Sequence, residues 1–440
     1  TQDPPRTTRT ETTVIVTRHL KPRHAAYAAS AIAVALVASL VGGVIGRPHH
    51  AARPAAETTR TGTIARYQQT LRDNPDDYRT WASLGGAYVQ QARITVDPTY
   101  YPKAEGALRR SLALNGTGNH PAMIGMAALA NARHDFAGAA GWGEKAKKID
   151  GSAPDVFGTL NDAYTQLGDY PAATAAIRRM VTLQPGVASF TRASYELEEH
   201  GDVAGARKVL AQAVEAAYTP SDVAYCRYYL GELALHAGDL TEAAEQYGRA
   251  RTADATYTPA LEGIAKTEML RGDAAGAVRD FQTVVGRVPQ PQYVMEYAEV
   301  LASLGRSGEA AQQRQVLDGE QKLFAANGVT DDLTAAEYAA DTGDAAGTLS
   351  HARAEWGRRH SVIVADALAW ALHLNGKDTE ALGYAEKATR LGWRNALFYR
   401  HKAAIEDRTG DHAAARADRA TAGRINPHLD ERVPAIGRPS

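Results

Sequence analysis

The segment PDVFGTLNDAYTQLGDYPAATAAIRRMVTLQPGV, residues 154–187, carries the pattern that decides the fold. An apolar-rich stretch ends at Gly168, Asp169 follows it, and a second stretch continues to Leu183. Glycine accepts the left-handed backbone that ends many helices, and an aspartate side chain caps the first turn of a following helix well. The segment therefore predicts two antiparallel helices joined by a tight turn.

This turn recurs along most of the chain. Glycine occupies the turn position at intervals of 33 to 38 residues, and a small residue stands five positions after each one. The turn glycines are Gly168, Gly201, Gly238, Gly272, Gly305, Gly343, Gly376 and Gly410. Such a period, with small residues at fixed positions, is typical of stacked two-helix repeats whose helices cross closely. The sequence therefore predicts an all-α array.

The repeats resemble the tetratricopeptide repeat family. Residues 154–187 match that family's consensus at Leu160, Tyr164, Gly168, Tyr170, Ala173, Ile177 and Pro185. An earlier copy begins near Asp77 and carries the family's W-x2-LG-x2-Y signature as Trp81, Leu84, Gly85 and Tyr88. The resemblance implies a solenoid of helical hairpins wound into a right-handed superhelix, whose concave wall comes mainly from the first helix of each repeat.

Ten repeats are predicted between residues 77 and 430, and a single helix at 64–72 precedes them. Two of the copies are irregular in their turns. The stretch at 92–102 is expected to lengthen the turn between two helices, and His134 stands where a turn glycine is usual.

The copy at 319–362 departs most from the pattern. Asp332, Glu355 and His360 occupy positions where the family has apolar residues or proline. Either a longer helix through Phe324 or a break between two sub-arrays would explain this. The predicted domains are a tail at 1–24, a membrane helix at 25–46, a linker at 47–63, a first part of the array at 64–318, a second part at 319–430 and a C-terminal tail at 431–440.

Residues 25–46 read AAYAASAIAVALVASLVGGVIG and contain no charged residue. At about 1.5 Å of rise per residue, a helix of these 22 residues spans roughly 33 Å, enough to cross a hydrocarbon core of about 30 Å. Because the run is longer than the apolar region of a typical signal peptide, an uncleaved signal-anchor helix is the preferred interpretation. A cleaved signal peptide and a buried helix of a soluble domain are the alternatives.

Basic residues flank this segment, with Arg18, Lys21 and Arg23 before it and Arg47 and Arg53 after it. The small excess before the segment favours a cytoplasmic N-terminus. We therefore expect a single-pass protein of the cell membrane whose array lies outside the cytoplasm. A cytoplasm-facing array is the alternative.

The charge balance and the motif content disfavour several classes of function. Lys plus Arg number 49 and Asp plus Glu 50, so the net charge of −1 argues against nucleic-acid binding. The single cysteine, Cys226, excludes a disulfide within this chain and any metal site built on a cysteine pair. The motifs GxxxxGK(S/T), HExxH and GxSxG are absent. The sequence predicts a non-catalytic protein without a cofactor or a metal.

The family resemblance also implies which residues line the concave wall. This wall would be acidic and rich in aromatic side chains, so it would suit an extended peptide or protein segment that carries Lys or Arg. The expected groove residues are Tyr195, Glu198, Glu199, Tyr225, Tyr228, Glu232, His236, Glu262, Glu299, Asp366 and Trp370. Equivalent positions hold Lys266, Met269, Glu337, Asp341 and His373. The alternative is that the acidic residues form a solvated helix face and that the tyrosines belong to the core.

Together these features predict a non-catalytic, membrane-anchored scaffold that binds a protein or peptide partner. A cytoplasm-facing assembly factor at the membrane is the alternative within the same class. An enzyme with an active site in the groove is the alternative from another class. Self-association is a further expectation, because the last repeat ends near Pro427 without an obvious polar capping helix.

Overall fold

The structure, a computed structural model, describes residues 60–438, which form 21 α-helices and one short 3₁₀ helix and contain no strand. In chain order the helices are α1 (Arg60–Asp73), α2 (Tyr78–Thr95), α3 (Tyr100–Leu114), α4 (His120–Ala132), α5 (Phe136–Ile149), α6 (Pro154–Leu167), α7 (Tyr170–Leu183), α8 (Val187–Glu199), α9 (Val203–Glu215), α10 (Pro220–His236), α11 (Leu240–Ala253), α12 (Thr258–Leu270), α13 (Ala274–Arg287), α14 (Pro291–Ser303), α15 (Ser307–Ala326), α16 (Asp332–Asp341), α17 (Ala345–Trp356), α18 (Val362–Leu374), α19 (Asp378–Thr389), α20 (Ala396–Thr409) and α21 (His412–Ile425). The 3₁₀ helix follows them at Pro434–Gly437.

These helices pack in pairs. Each even-numbered helix from α2 to α20 packs most extensively on the odd-numbered helix that follows it, which gives ten hairpins numbered 1 (α2 and α3) to 10 (α20 and α21). Helix α1 packs on α2 ahead of the first hairpin. The all-α solenoid of helical hairpins expected from the sequence is therefore confirmed.

The turns inside the hairpins have the geometry that the glycine–aspartate pattern predicts. Gly168 has φ +79°, and the Asp169 carboxylate accepts a hydrogen bond from the backbone N–H of Ala172 at 3.2 Å. Asp202 caps α9 in the same way. His134 takes the left-handed conformation of the glycine that it replaces, with φ 61°, and its ring stacks on Phe136. Local sequence thus determines where each helix ends and the next begins.

Two irregular stretches are helical in the structure. The residues from Ala92 extend α2 to Thr95, so the prediction of a long turn at 92–102 was wrong: α3 begins after only four intervening residues. Helix α15 has 20 residues and continues through the buried Phe324, which is the longer helix considered for this region. Because α15 and α16 barely touch, hairpins 7 and 8 meet through α14 and α16.

The array winds back onto itself. The turns inside hairpins 2 to 5 contact the linkers that follow hairpins 7 to 10, at sequence separations of 191 to 197 residues. The backbone N–H of His360 donates to the Leu167 carbonyl at 3.2 Å, and the Asn426 side-chain amide donates to the Leu235 carbonyl at 3.1 Å. We call this line of contacts the seam. It fixes how closely one superhelical winding lies on the next.

The turn glycines make this approach close. A Cβ atom added at Gly168 would lie 2.3 Å from the His360 carbonyl oxygen, and one added at Gly201 would lie 2.5 Å from that of Gly392. Nothing lies within 4 Å of the corresponding position at Gly272. Glycine is therefore required for two reasons at the seam, backbone conformation and space, but for only the first reason at Gly272.

Residues that depart from the repeat pattern lie at the seam. Glu355, which replaces an apolar residue, is buried and binds the Arg359 guanidinium, which also contacts Gln166 of the other winding. His134 is buried with its Nδ1 3.9 Å from an Asp331 carboxylate oxygen. At these positions polar groups lie at the contact between the windings, and the Arg359–Gln166 hydrogen bond crosses it.

The predicted membrane helix at 25–46 and the tail at 1–24 lie outside the described residues. No helix formed by residues 60–438 combines the length and apolar character needed to span a membrane.

Replacing Gly168 by alanine should destabilise the protein more than the same change at Gly272. Both glycines have a positive φ, +79° and +86°, so each alanine carries a left-handed backbone penalty of about 1–2 kcal/mol. Only Gly168→Ala also pushes a methyl group into the other winding, which adds about 1–3 kcal/mol. Urea and thermal unfolding of the two variants measures the difference. Equal losses would mean that the seam contributes nothing to stability.

Candidate functional site

The expected groove residues lie on the first helices of successive hairpins and contact one another from helix to helix. His236 on α10 bonds through Nδ1 to a Glu198 carboxylate oxygen on α8 at 3.0 Å. The Tyr228 hydroxyl on α10 donates to Glu262 on α12 at 3.4 Å. The structure therefore brings these residues together as one continuous inner face across hairpins 4 to 6.

Much of this inner face is buried. Glu199, Glu232 and Glu262 are each no more than 2% exposed, and Tyr195 packs edge-on against Trp393 of the next winding. Burial, followed by the neighbouring Glu198 carboxylate, holds the pKa of Glu199 well above its usual range. An open wall at these positions was the expectation from the sequence. These three carboxylates are instead part of the interior.

A buried lysine compensates the carboxylates of hairpins 5 and 6. The Lys266 ammonium lies 3.0 Å from Glu232 and 2.8 Å from Glu262, and it is 1% exposed. Burial alone would lower the pKa of Lys266, but Glu232, Glu262 and Glu296 outweigh it and raise that pKa. The Tyr247 hydroxyl donates a further hydrogen bond to Glu232. This part of the predicted groove is an internal charge cluster that joins hairpins.

The tyrosines near Cys226 pack together in the same region. Tyr225, Tyr228 and Tyr229 make edge-to-face contacts with ring centroids 4.9 to 5.2 Å apart. Cys226 is fully buried, and burial raises the pKa of its thiol to about 12. These side chains act as core in this structure, as the alternative interpretation of the tyrosines held.

Where hairpins 7 and 8 meet, three further carboxylates gather. Glu299 on α14 and Glu337 and Asp341 on α16 all lie within 4 Å of the Arg438 guanidinium, and we call these three the acidic cluster. Arg438 donates to both oxygens of Asp341, at 2.8 and 2.6 Å. Burial raises the pKa of Glu337 to about 7, although Arg438 acts in the opposite direction. Burial and Asp341 together hold the pKa of Glu299 well above its usual range.

The segment that brings Arg438 to the acidic cluster was expected to be a tail. Residues 430–438, the C-terminal segment, instead turn back after α21 and form the 3₁₀ helix inside the winding. The Ala435 backbone N–H donates to Glu299 at 2.8 Å, while Val433 and Ile436 are buried in the apolar cluster around Met269. An apolar V-P-A-I stretch shortly before an arginine was the available sequence signal for this docking.

This packing also covers apolar surface after the last hairpin. Leu429, Val433, Ala435 and Ile436 are all less than 10% exposed. The prediction of self-association relied on such surface being open, and it stays a prediction.

Next to Arg438 lies a cavity with an aromatic wall. Asp366, Trp370, Phe398 and His401 line it, and we call these four residues the aromatic pocket. The Trp370 and His401 rings stack with centroids 4.2 Å apart, and His401 Nδ1 lies 2.9 Å from one Asp366 oxygen. The other Asp366 oxygen, Oδ1, has no hydrogen-bond partner although Asp366 is only 5% exposed. The acidic cluster and the aromatic pocket together form the acidic groove.

Within residues 60–438, no group of three or more His, Cys, Asp or Glu side chains is arranged to hold a metal ion.

Replacing Lys266 by methionine should destabilise the fold, and more so at pH 8 than at pH 5. Removing one partner of a buried charge cluster costs about 3–5 kcal/mol. Burial raises the pKa of Glu262 and of Glu296, so the folded chain holds more protons than the unfolded chain above the ordinary glutamate pKa of 4.5. Lys266 acts against this rise, so without it both pKa values increase further and the variant loses more stability than the unmodified protein as pH rises. Urea unfolding at both pH values tests this.

The matched control is Lys208→Met, because Lys208 is exposed on α9 and its replacement should change stability little. A loss in Lys266→Met that does not depend on pH would contradict the interpretation of an internal charge cluster.

Comparison with known proteins places the repeat in a family over part of the chain. Residues 191–257, which cover α8 to α11, match the model of the tetratricopeptide repeat family. None of the curated proteins has a sequence that matches this chain significantly.

Several solved structures share the helical repeat architecture at low identity. PilW, a type IV pilus biogenesis factor, is 18% identical over 46% of this chain and 92% of its own, with a TM-score of 0.39. A chain of the APC/C hetero-tetramer Cut9–Hcn1 is 14% identical over 87% of this chain and 73% of its own, with a TM-score of 0.46. A tetratricopeptide repeat protein of Thermus thermophilus is 20% identical over 44% of this chain and 99% of its own, with a TM-score of 0.39.

The ten hairpins repeat across the described residues the two-helix unit that the family model matches at 191–257. The match to the tetratricopeptide repeat family therefore covers residues 191–257, and the other hairpins repeat the same two-helix architecture.

Proposed function

We propose that the protein is a non-catalytic scaffold that binds a short arginine-containing segment of a partner protein in the acidic groove. The observation that carries this proposal is the occupied acidic cluster, which holds Ala435 through a main-chain N–H and Arg438 through its guanidinium. A polypeptide supplies both kinds of donor, and charge-assisted, bidentate hydrogen bonds are the strong ones. The groove is therefore built for a peptide with an arginine.

An enzyme is the alternative from another class. Clustered titratable groups with shifted pKa values often mark active sites, and Glu262, Lys266 and Glu296 form such a cluster. None of them lines either the cavity beside Arg438 or the one beneath the C-terminal segment, and the Lys266 ammonium is already held by two carboxylates. These features favour a structural role for the cluster, so binding remains the better proposal.

The proposal includes a location. The uncharged run at 25–46 and the basic residues before it favour a single-pass anchor with the hairpin array outside the cytoplasm. A cytoplasm-facing assembly factor is the alternative, and it follows if the charge bias does not set the orientation.

Binding to the acidic groove is tested with a peptide of the C-terminal segment. The full-length Arg438→Ala variant vacates the guanidinium position, and an amidated, fluorescently labelled LDERVPAIGR peptide should then bind it. Adding Asp341→Asn to that variant should weaken binding by about tenfold or more, because a charge-assisted contact is worth about 1.5–3 kcal/mol. Fluorescence anisotropy gives both dissociation constants.

The control is Asp318→Asn in the same Arg438→Ala background. Asp318 is exposed on α15 and is not among the carboxylates that contact Arg438, so its replacement should leave peptide binding unchanged. Absence of binding to Arg438→Ala, or equal effects of Asp341→Asn and Asp318→Asn, would refute the proposed function.

The location is tested by digesting intact cells with a protease that does not cross membranes, with permeabilised cells as the comparison. Loss of the hairpin array in intact cells is expected. Digestion only after permeabilisation would place the array in the cytoplasm and favour the assembly-factor alternative.

A further inference from the structure

The C-terminal segment is held in the acidic groove by few contacts. Its only regular element is the four-residue 3₁₀ helix, and its polar contacts to the groove come from Ala435 and Arg438. On its other side, Arg432 is exposed and pairs with Asp430 inside the same segment. Release of the segment would therefore break no α-helix and would expose only a few apolar side chains.

The groove holds more carboxyl groups than the segment supplies cations. Glu299, Glu337, Asp341 and Asp366 carry these carboxyl groups, and Arg438 is the one guanidinium placed among them. Arg438 Nη1 lies 3.8 Å from Glu299 Oε1, which is beyond hydrogen-bond distance. Burial raises the pKa of Glu299 and of Glu337, which favours their neutral forms, so a ligand with more positive charge would favour ionisation of both groups and would bind more favourably.

The aromatic pocket is suited to a second cation. It offers the buried, unpartnered Oδ1 of Asp366 beside the Trp370 ring, and Arg438 itself lines one side of it. A buried carboxylate oxygen without a partner is favourable for an ammonium or guanidinium group. The titratable groups that line this space are Glu337 on α16, Asp366 on α18, His401 on α20 and Arg438, and His373 stacks on Trp370 behind it.

We infer that the C-terminal segment is a displaceable occupant of the acidic groove, and that the partner segment replacing it carries two basic side chains. One takes the position of Arg438, and the other enters the aromatic pocket and binds Asp366. This inference rests on the function proposed above, and it adds both a mode of regulation and a sequence requirement for the partner. The chain then occupies its own binding site until a more basic segment arrives.

Two amidated peptides test the inference on the full-length protein. LDERVPAIGRR adds a second arginine to the segment, and LDERVPAIGRQ adds a neutral residue of similar reach. On the Arg438→Ala variant, the peptide with the second arginine should bind at least about tenfold more tightly than the one with glutamine. Asp366→Asn in the same background should remove most of that difference.

Displacement is tested by comparing Arg438→Ala with Arg432→Ala. Both variants lose one arginine of the C-terminal segment, but Arg432 makes no contact with the acidic cluster. Arg438→Ala should bind LDERVPAIGRQ at least about tenfold more tightly than the unmodified protein, and Arg432→Ala should bind it as the unmodified protein does.

The possible failures are distinguishable. Equal affinity of LDERVPAIGRQ for Arg438→Ala and Arg432→Ala would show that the segment does not compete, which overturns displacement. Equal affinity of LDERVPAIGRR and LDERVPAIGRQ for Arg438→Ala would overturn the second site. A difference in affinity that persists when Asp366→Asn is added would overturn it as well. Failure of every peptide to bind Arg438→Ala would overturn the proposed function itself.

Discussion

The seam between successive windings is the constraint on which the rest of the structure depends. At Gly168 and Gly201 the turn backbone lies so close to a carbonyl of the next winding that no Cβ fits between them. Hydrogen bonds between residues 191 to 194 positions apart also hold one winding against the next. A solenoid held only by neighbouring hairpins would have an open inner wall. Here the inner wall is largely closed, and charged residues on it must be compensated within the protein.

Compensation takes two forms along the inner face. In hairpins 5 and 6 the cation is Lys266, which belongs to a helix and cannot leave without unfolding. At the junction of hairpins 7 and 8 it is Arg438, which belongs to a segment that no α-helix holds in place. The same electrostatic requirement is therefore met by a helix residue at one place and by a residue outside any α-helix at the other.

Local features of the fold could be predicted from the sequence, whereas the seam could not. The hairpins follow from glycine and aspartate at each turn, because those residues act on the adjacent backbone only. The seam joins residues far apart in the sequence, such as Leu167 and His360, and no local pattern determines how closely two windings approach. The sequence indicated the seam only through residues that depart from the repeat pattern. His134, Glu355 and His360 are such residues, and all three lie at or beside the seam. The prediction of a groove at these residues stays a prediction, and the pattern of the repeat did not indicate that Glu199, Glu232 and Glu262 are buried.

The spacing of 38 residues between the turn glycines Gly305 and Gly343 affects the structure around the acidic cluster. The additional residues lengthen α15 through Phe324, and α15 then no longer packs on α16 as other consecutive helices do. Ala435 packs against α14 and α15 at this junction and places Arg438 beside the acidic cluster. A fully regular array would close this position with helix packing and leave no space for a peptide. The departure from the repeat therefore leaves, at one junction of a closed solenoid, the space that the C-terminal segment occupies.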